Sequence, residues 1–210
     1  SVNWVKSTYP EVKNIVLSAN FGYAGGYNKA IPGIAEELIV LLNSDIETTE
    51  NWLEPIKNLF ETKPNLAACQ PKIRDLKSRD YFEYAGAAGG FIDALCYPFC
   101  RGRIFYEIEE DTHQYDDSRP VFWATGASLI VRKTHYLAVG GLDESLFAHM
   151  EEIDLCWRMH RQNFEVFYCA QSTVFHMGGA TLHETSPRKT FLNFRNNMII
   201  MAKNLPLGEF

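Results

Sequence analysis

Leu38 to Leu42 is a run of five apolar residues that ends abruptly in Asn43-Ser44-Asp45. A strand buried on both faces reads this way, with polar residues at its carboxyl end. Shorter runs predict strands at Lys13 to Leu17, at Leu66 to Ile73, around Thr125-Gly126 within Val121 to Arg132, and at Glu165 to Tyr168 and Thr173 to His176. Helical spacing takes over between them. Trp52, Ile56, Leu59 and Phe60 mark a helix that begins shortly before Pro55, and Ile153, Cys156 and Trp157 mark the apolar face of another over Glu151 to Gln162. Lys189 to Lys203 reads as a final helix, and residues 29–37 as an earlier one that Pro32 and Gly33 weaken. The first ten residues read as a helix tail with Val2, Trp4 and Val5 on one side, closed by Pro10. Residues 75–120 are irregular, carrying Gly86, Gly89, Gly90, Pro98, Gly102 and the acidic stretch Glu107 to Asp117, and long irregular segments in compact domains are usually functional or mobile.

Strands alternating with helices predict an α/β domain with a mixed, mostly parallel central sheet and helices on both faces. In such sheets ligands bind beyond the carboxyl ends of the strands, which points at Asn43-Ser44-Asp45. The length of 210 residues suits one domain, 1–210. Composition changes little: 46% hydrophobic and 22% charged residues are the balance of a folded globular chain. The net charge of −6 gives nucleic acid no global attraction, but a divalent cation could still bring a nucleotide diphosphate to an acidic chain. Five cysteines, Cys69, Cys96, Cys100, Cys156 and Cys169, sit mostly in apolar runs. Their odd number favours reduced thiols and a cytoplasmic setting, and Cys96 and Cys100 lack the second Cys/His pair of a structural zinc site. No apolar run reaches the roughly 18 residues needed to span a bilayer.

Each piece of candidate chemistry has a plainer reading beside it. Asp45 could ligate Mg²⁺ or Mn²⁺ near a phosphate, or could simply turn the chain and cap the next helix. Asn20 to Asn28 offers glycine backbone for close approach to a ligand, yet lacks the spacing of a dinucleotide or P-loop motif. Glu151, Glu152 and Asp154 gain from a helix N-terminus. One of them could also be a general base that the same dipole keeps ionised. His176 could be a ligand or a hydrogen-bonded structural residue, and Arg195 a phosphate contact or a surface cation. Trp4, Trp52, Trp123 and Trp157 are assigned to packing. Tyr81, Phe82, Tyr84, Phe91, Tyr97 and Phe99 could stack on sugar rings or form core.

In this order the features resemble the family 2 glycosyltransferases, particularly the rhamnosyltransferase-like branch. The resemblance rests on Asn20 to Asn28, on the strand Leu38 to Asp45 ending in N-x-D, on Gly140 to Arg158, and on Val174-Phe175-His176. It implies a GT-A fold in which residues 1–74 bind the donor nucleotide and residues 75–210 bind the acceptor and carry catalysis. It further implies that Asp45 and His176 hold Mn²⁺ or Mg²⁺, and that Asn20, Gly22, Gly25, Gly26, Asn28 and Asn43 line the nucleotide-sugar pocket with Asp45. Arg195 would face the leaving pyrophosphate. Glu152 stands where the family has an Asp, so the base is Glu152 or Glu151. The implied reaction is inverting transfer from a nucleotide-diphospho-sugar to a saccharide or lipid-linked acceptor in cell-surface polysaccharide synthesis. It would take place in the cytoplasm or at the inner face of a membrane.

Ser1-Val2-Asn3-Trp4 resembles the helix after the family's second strand, so the expectation is a chain lacking the first nucleobase-binding strands. At Leu207-Gly208-Glu209-Phe210 it stops where relatives often continue into membrane-associating helices. An exposed sheet edge left this way could pair two copies. Two other classes stay open: a non-catalytic interaction module, which would tolerate Glu152→Gln, and a nucleotidyltransferase, which would release pyrophosphate from a nucleoside triphosphate.

Overall fold

The computed structural model describes residues 2–178 and 186–206. Ser1 and Leu207 to Phe210, which figured in the expectations above, lie outside the described residues. The elements in chain order are α1 (Val2–Thr8), α2 (Gly22–Ala30), β1 (Leu38–Leu42), β2 (Ile46–Thr48), α3 (Leu53–Thr62) and β3 (Leu66–Asp75). Short strands follow, β4 (Gly90–Ile92), β5 (Pro98–Cys100), β6 (Arg103–Ile104), β7 (Glu107–Ile108) and β8 (Arg119–Pro120). The remainder is β9 (Ser128–Arg132), α4 (Lys133–Ala138), α5 (Glu151–Arg161), β10 (Glu165–His176) and α6 (Pro187–Asn204).

The central sheet has the order β1-β9-β3-β10-β2, with β8 also paired to β10. It is mixed, as expected, but not mostly parallel. Only β3 and β10 run parallel; the other pairings are antiparallel. The physical reason is the stretch after β1, where strand–helix alternation breaks down. Ile46 re-enters the sheet at the far end of the order, and two small hairpins, β4–β5 and β6–β7, precede β9.

Period-two alternation splits the interior strands between two layers. Ala68, Leu129, Val166 and Tyr168 face a core shared with Leu155, Cys156 and Met159 of α5. Their sequence neighbours Cys69, Ile130, Phe167 and Cys169 face Ile56 and Phe60 of α3. Helices therefore cover both faces, as the sequence pattern predicts.

Four elements differ from expectation. Lys13 to Leu17 forms no strand: it has no ladder among the described residues, and Ile15 and Val16 are 46% and 64% exposed. Apolar character alone does not make a strand when no neighbour satisfies its backbone. The helix expected over 29–37 begins instead at Gly22 and gives way to a 3₁₀ turn at Ile31–Gly33, where Pro32 and Gly33 end it. The strand expected over Val121 to Arg132 starts only at Ser128, leaving Val121 to Ala127 as a loop. The two strands expected around Gln171 are one strand, β10, with a register shift between Cys169 and Thr173. There Ser172 donates to the Trp52 carbonyl at 2.6 Å, so its polarity serves a bulge and not a chain break. No described helix is long and apolar enough to cross a membrane.

Helix α5 carries Glu151, Glu152 and Asp154 in its first turn and Arg158, His160 and Arg161 in its last, the distribution its dipole favours. Asp154 is nevertheless fully buried. It pairs with Arg158 at 2.7 Å and Lys203 at 2.8 Å, and accepts from Asn204 at 3.1 Å, tying α5 to α6. Asp154→Ala, which removes the buried carboxylate that Arg158, Lys203 and Asn204 share, is expected to lower the urea-unfolding free energy by about 1–3 kcal/mol.

Candidate active site

Asn43-Ser44-Asp45 links β1 to β2, which stand at opposite ends of the sheet order. The link therefore crosses the ends of the strands between them, anchored by Asn43 N–H donating to the Ala127 carbonyl at 2.9 Å. Strand β2 then pairs with β10 so that Ile46 lies opposite His176, and Met177 N–H donates to the Asp45 carbonyl at 3.2 Å. This register sets Asp45 Oδ1 3.3 Å from His176 Nε2, with the Asn43 amide 3.5 Å from the same nitrogen. On the other side of the ring, Glu83 Oε1 is 3.4 Å from His176 Nδ1. Glu83 is buried, and its second oxygen accepts from Ala85 N–H at 2.6 Å. Burial works against a charge on His176, but the Glu83 and Asp45 carboxylates outweigh it and raise the imidazole pKa.

This triad tests whether a divalent cation suits the site. His176 Nδ1 is buried with no hydrogen bond of good geometry, while Nε2 looks at Asp45. With the proton on the Nδ1 that faces Glu83, Nε2 presents its lone pair beside a carboxylate. That is how a carboxylate behind a histidine prepares it as a ligand. One carboxylate and one imidazole fit Mn²⁺ or Mg²⁺ that takes its remaining oxygens from a bound phosphate or water. The described residues contain no ready-made group of three or more His, Cys, Asp or Glu for a metal.

A cleft of about 770 Å³ opens over this triad and contains the α5 carboxylates as well. Trp123 helps to wall it: the indole lies across Gly90, where an added Cβ would sit 2.1 Å from the ring, and Nε1 donates to the Phe91 carbonyl at 2.8 Å. Glu151 and Glu152 enter from a strained turn. Phe147, His149 and Met150 all have positive φ (67°, 69° and 70°), unusual for side chains of this size. Phe147 forms a γ-turn, closed by Ala148 N–H donating to the Leu146 carbonyl at 2.8 Å. Asn196, buried in α6, holds the turn with its amide, which donates to the carbonyls of Leu146, Ala148 and His149 at 3.0, 2.9 and 2.7 Å. Arg195 adds a 2.8 Å bond to Leu146.

Burial in the cleft outweighs the helix dipole in setting the carboxylate pKa values. Burial, then repulsion from Glu151, raises the Glu152 pKa to about 8, and burial also raises that of Glu151. Glu151 Oε2, His149 Nε2 and Asn197 Oδ1 are all buried without hydrogen-bond partners, and their residues all line this cleft. Unsatisfied polar atoms gathered in one cavity mark a place where a ligand supplies the partners.

Of the residues singled out in the sequence, Asn43, Asp45, Glu151, Glu152 and His176 line the cleft together. Asn20, Gly22, Gly25, Gly26, Asn28 and Arg195 do not. Asn20 accepts from Gly22 N–H at 2.9 Å, and Gly22 and Gly26 face open space. Gly25 lets α2 approach Glu144, whose carboxylate would lie 3.1 Å from an added Cβ. Asn28 is a strut: it donates to the Leu142 carbonyl at 2.8 Å and accepts from Tyr136 at 2.6 Å. Arg195 is spent on the turn below the carboxylates. The cations that do line the cleft are Lys77, Arg103 and Lys189, and Tyr84, Tyr97 and Phe194 supply aromatic surface. Glu83, His149, Lys189 and Asn196 were missed. Only Lys189 had a signal, its place one turn into a helix that follows the His176 strand.

Comparison with known proteins fits this arrangement. The family described as "Glycosyl transferase family 2" matches residues 2–124. An N-acetylglucosaminyl-diphospho-decaprenol L-rhamnosyltransferase of Mycobacterium tuberculosis is 25% identical over 182 residues, 80% of this chain and 59% of that protein. A low-salt glycan biosynthesis hexosyltransferase, Agl10 of Haloferax volcanii, is 23% identical over 91% of this chain and 61% of its own length. The chain thus spans about three fifths of the length of these two curated relatives. In structure it is similar to GalNAc-T7, crystallised with UDP, GalNAc and Mn²⁺, with a TM-score of 0.68 and 12% identity over 96% of this chain and 38% of that one. That likeness establishes the GT-A fold.

Two outcomes test the geometry. Asn196→Ala, which takes the amide donor from the Ala148 and His149 carbonyls and leaves Leu146 to Arg195 alone, is expected to cost about 1–3 kcal/mol in denaturant unfolding. Because folding raises the Glu152 pKa from 4.5 to about 8, the native state holds more protons in between, and stability falls as pH rises through that window. Glu152→Gln is expected to flatten the fall in a melting-temperature series, leaving the variant relatively more stable above pH 8.

Proposed function

The chain belongs to glycosyltransferase family 2, and from that premise we propose that it transfers a sugar, with inversion, from a nucleotide-diphospho-sugar to a hydroxyl of a saccharide or lipid-linked acceptor. The observation that carries the reading is one cleft holding both the Asp45–His176–Glu83 triad and the raised-pKa pair Glu151 and Glu152. The family match ends at residue 124, so the roles of the α5 carboxylates and of His176 rest on this geometry.

Glu152 takes the proton from the acceptor hydroxyl. The freed oxygen bonds to the anomeric carbon on the face opposite the nucleoside diphosphate, which leaves with the bonding pair. One base suffices for a single displacement, without a second carboxylate as nucleophile. A base with a pKa near 8 is a stronger proton acceptor than an ordinary carboxylate, and the adjacent Glu151 is part of what makes it so. Asp45 and His176 are the pair that would hold Mn²⁺ or Mg²⁺, and when bound the cation supplies positive charge for the diphosphate. Lys189 and Arg103 reach the same cleft and replace Arg195 as the cations proposed to meet phosphate. Tyr84 and Tyr97 offer faces for sugar rings. The division into a donor part, 1–74, and an acceptor part, 75–210, is kept as part of the proposal. A cytoplasmic site of action, at the inner membrane face where the acceptor is lipid-linked, is part of the same proposal, supported by the odd number of cysteines in the sequence.

The test is release of nucleoside diphosphate from a panel of nucleotide sugars with Mn²⁺ and acceptor. Glu152→Gln is expected to lower kcat by about 10²–10⁴ while donor binding, read by thermal shift, stays within twofold. Asp45→Asn should instead weaken Mn²⁺-dependent donor binding. The acid limb of kcat/KM is expected to titrate well above pH 4.5, as a property of the Glu151–Glu152 pair. Pyrophosphate released from a nucleoside triphosphate, or unchanged transfer in Glu152→Gln, would sink the proposal.

A further inference from the structure

Among the residues from Asn20 to Asn28, Tyr23 is the one that lines the cleft. Its hydroxyl proton is already committed, donated to the Gly126 carbonyl at 2.9 Å. Glu152 approaches the same glycine. A Cβ added at Gly126 would lie 3.1 Å from the Tyr23 hydroxyl oxygen, 3.7 Å from Glu152 Cβ and 3.8 Å from Glu152 Cδ. Having no side chain there lets the phenol and the carboxylate close on one stretch of backbone. The Gly126 backbone in turn offers Glu152 a hydrogen bond that favours the ionised carboxylate, against burial and the Glu151 charge.

Tyr27, one turn further along α2, reaches the other half of the site. Its hydroxyl accepts from Leu42 N–H at 3.2 Å, and Leu42 is the last residue of β1 before Asn43-Ser44-Asp45. The two tyrosine rings meet edge to face with their centroids 5.1 Å apart, the contact that i, i+4 spacing on a helix allows. Asn43 N–H closes the circuit by donating to Ala127, the residue after Gly126. One face of α2 thus braces the loop that carries Gly126 on one side and the link that carries Asp45 on the other.

We propose that Tyr23 is a positioning residue for the transfer: through Gly126 it holds Glu152 in a fixed place relative to Asp45, with Tyr27 backing it from the end of β1. This rests on the reading of Glu152 as the base. A tyrosine that only filled the core would serve stability, and its hydroxyl could be lost without changing how Glu152 titrates.

The test is Tyr23→Phe, which keeps the ring and removes the hydrogen bond. With Gly126 released, the ionised Glu152 loses a donor while burial and Glu151 still oppose its charge. Glu152 is faced by Glu151 and Cys156 on α5 and by Tyr23 on α2, and Thr125-Gly126-Ala127 brings no charge. The acid limb of kcat/KM is therefore expected to move upward, by about half a pH unit or more. At pH 7 kcat should fall about tenfold, while the donor KM stays within twofold. Gly126→Ala, whose methyl crowds the Tyr23 hydroxyl, should shift the limb the same way, and the double variant no further than the larger single change. The carbon-13 resonance of the Glu152 carboxyl, identified by its loss in Glu152→Gln, reads the same shift without turnover. A limb and a resonance that stay in place in both single variants overturn the proposal, even where the melting temperature falls. So do shifts that add in full. A displaced resonance in Tyr23→Phe, with no sugar transfer from any donor, would refute the catalytic reading and leave the brace standing.

Discussion

The grip of Asn196 on the turn from Leu146 to Met150 is the interaction on which the site depends. Phe147, His149 and Met150 each occupy backbone conformations that cost on the order of 1–3 kcal/mol. Left to local preference, this segment would relax, and α5 would start elsewhere. One buried side-chain amide meets three of its carbonyls, and Arg195 adds a fourth contact, so the strained form keeps its polar groups satisfied. The result is that Glu151 and Glu152 project from the first turn of α5 into the cleft and not onto an outer surface. The salt-bridged cluster at Asp154, between the same two helices, fixes the angle from below.

The other half of the site depends on strand register. A one-residue slip of β2 against β10 would turn Asp45 away from His176, because successive strand residues face opposite sides. The bulge in β10 between Cys169 and Thr173 lets the strand pair in parallel with β3 along its length and still deliver His176 beside Asp45. Glu83 completes the arrangement from the loop after β3, where its own backbone contact at Ala85 holds it in place. Two elements far apart in sequence, a strand end and a helix start, thus meet across a cavity whose polar atoms are left partly unsatisfied.

How much of this the sequence disclosed follows from how local each cause is. Leu38 to Asp45 and the carboxylate-rich start of α5 were legible because burial and helix dipoles write themselves into a few adjacent residues. The failures have non-local causes. Lys13 to Leu17 has the composition of a strand, but strands exist only with partners. Asn20 to Asn28 was assigned to the ligand, whereas Asn28 serves Tyr136 and Leu142, more than a hundred residues away. Arg195 and Asn196 stand side by side, and nothing in their order reveals that both bind a turn some fifty residues earlier. The raised pKa of Glu152 was hidden for a similar reason: the dipole is a property of the helix, but the burial that outweighs it belongs to the whole cleft.

These causes converge on α6. Its polar residues face inward because the strained turn and Asp154 need donors, which Asn196, Asn204 and Lys203 provide. With the inner face given partly to asparagines, the helix has less room for apolar residues against the core, and Phe191, Phe194 and Met198 lie outside. An exposed stripe is a liability in water, so it persists at a cost in solubility unless something covers it. One helix thereby sets the carboxylates from its buried side and offers an apolar surface at the mouth of the same cleft.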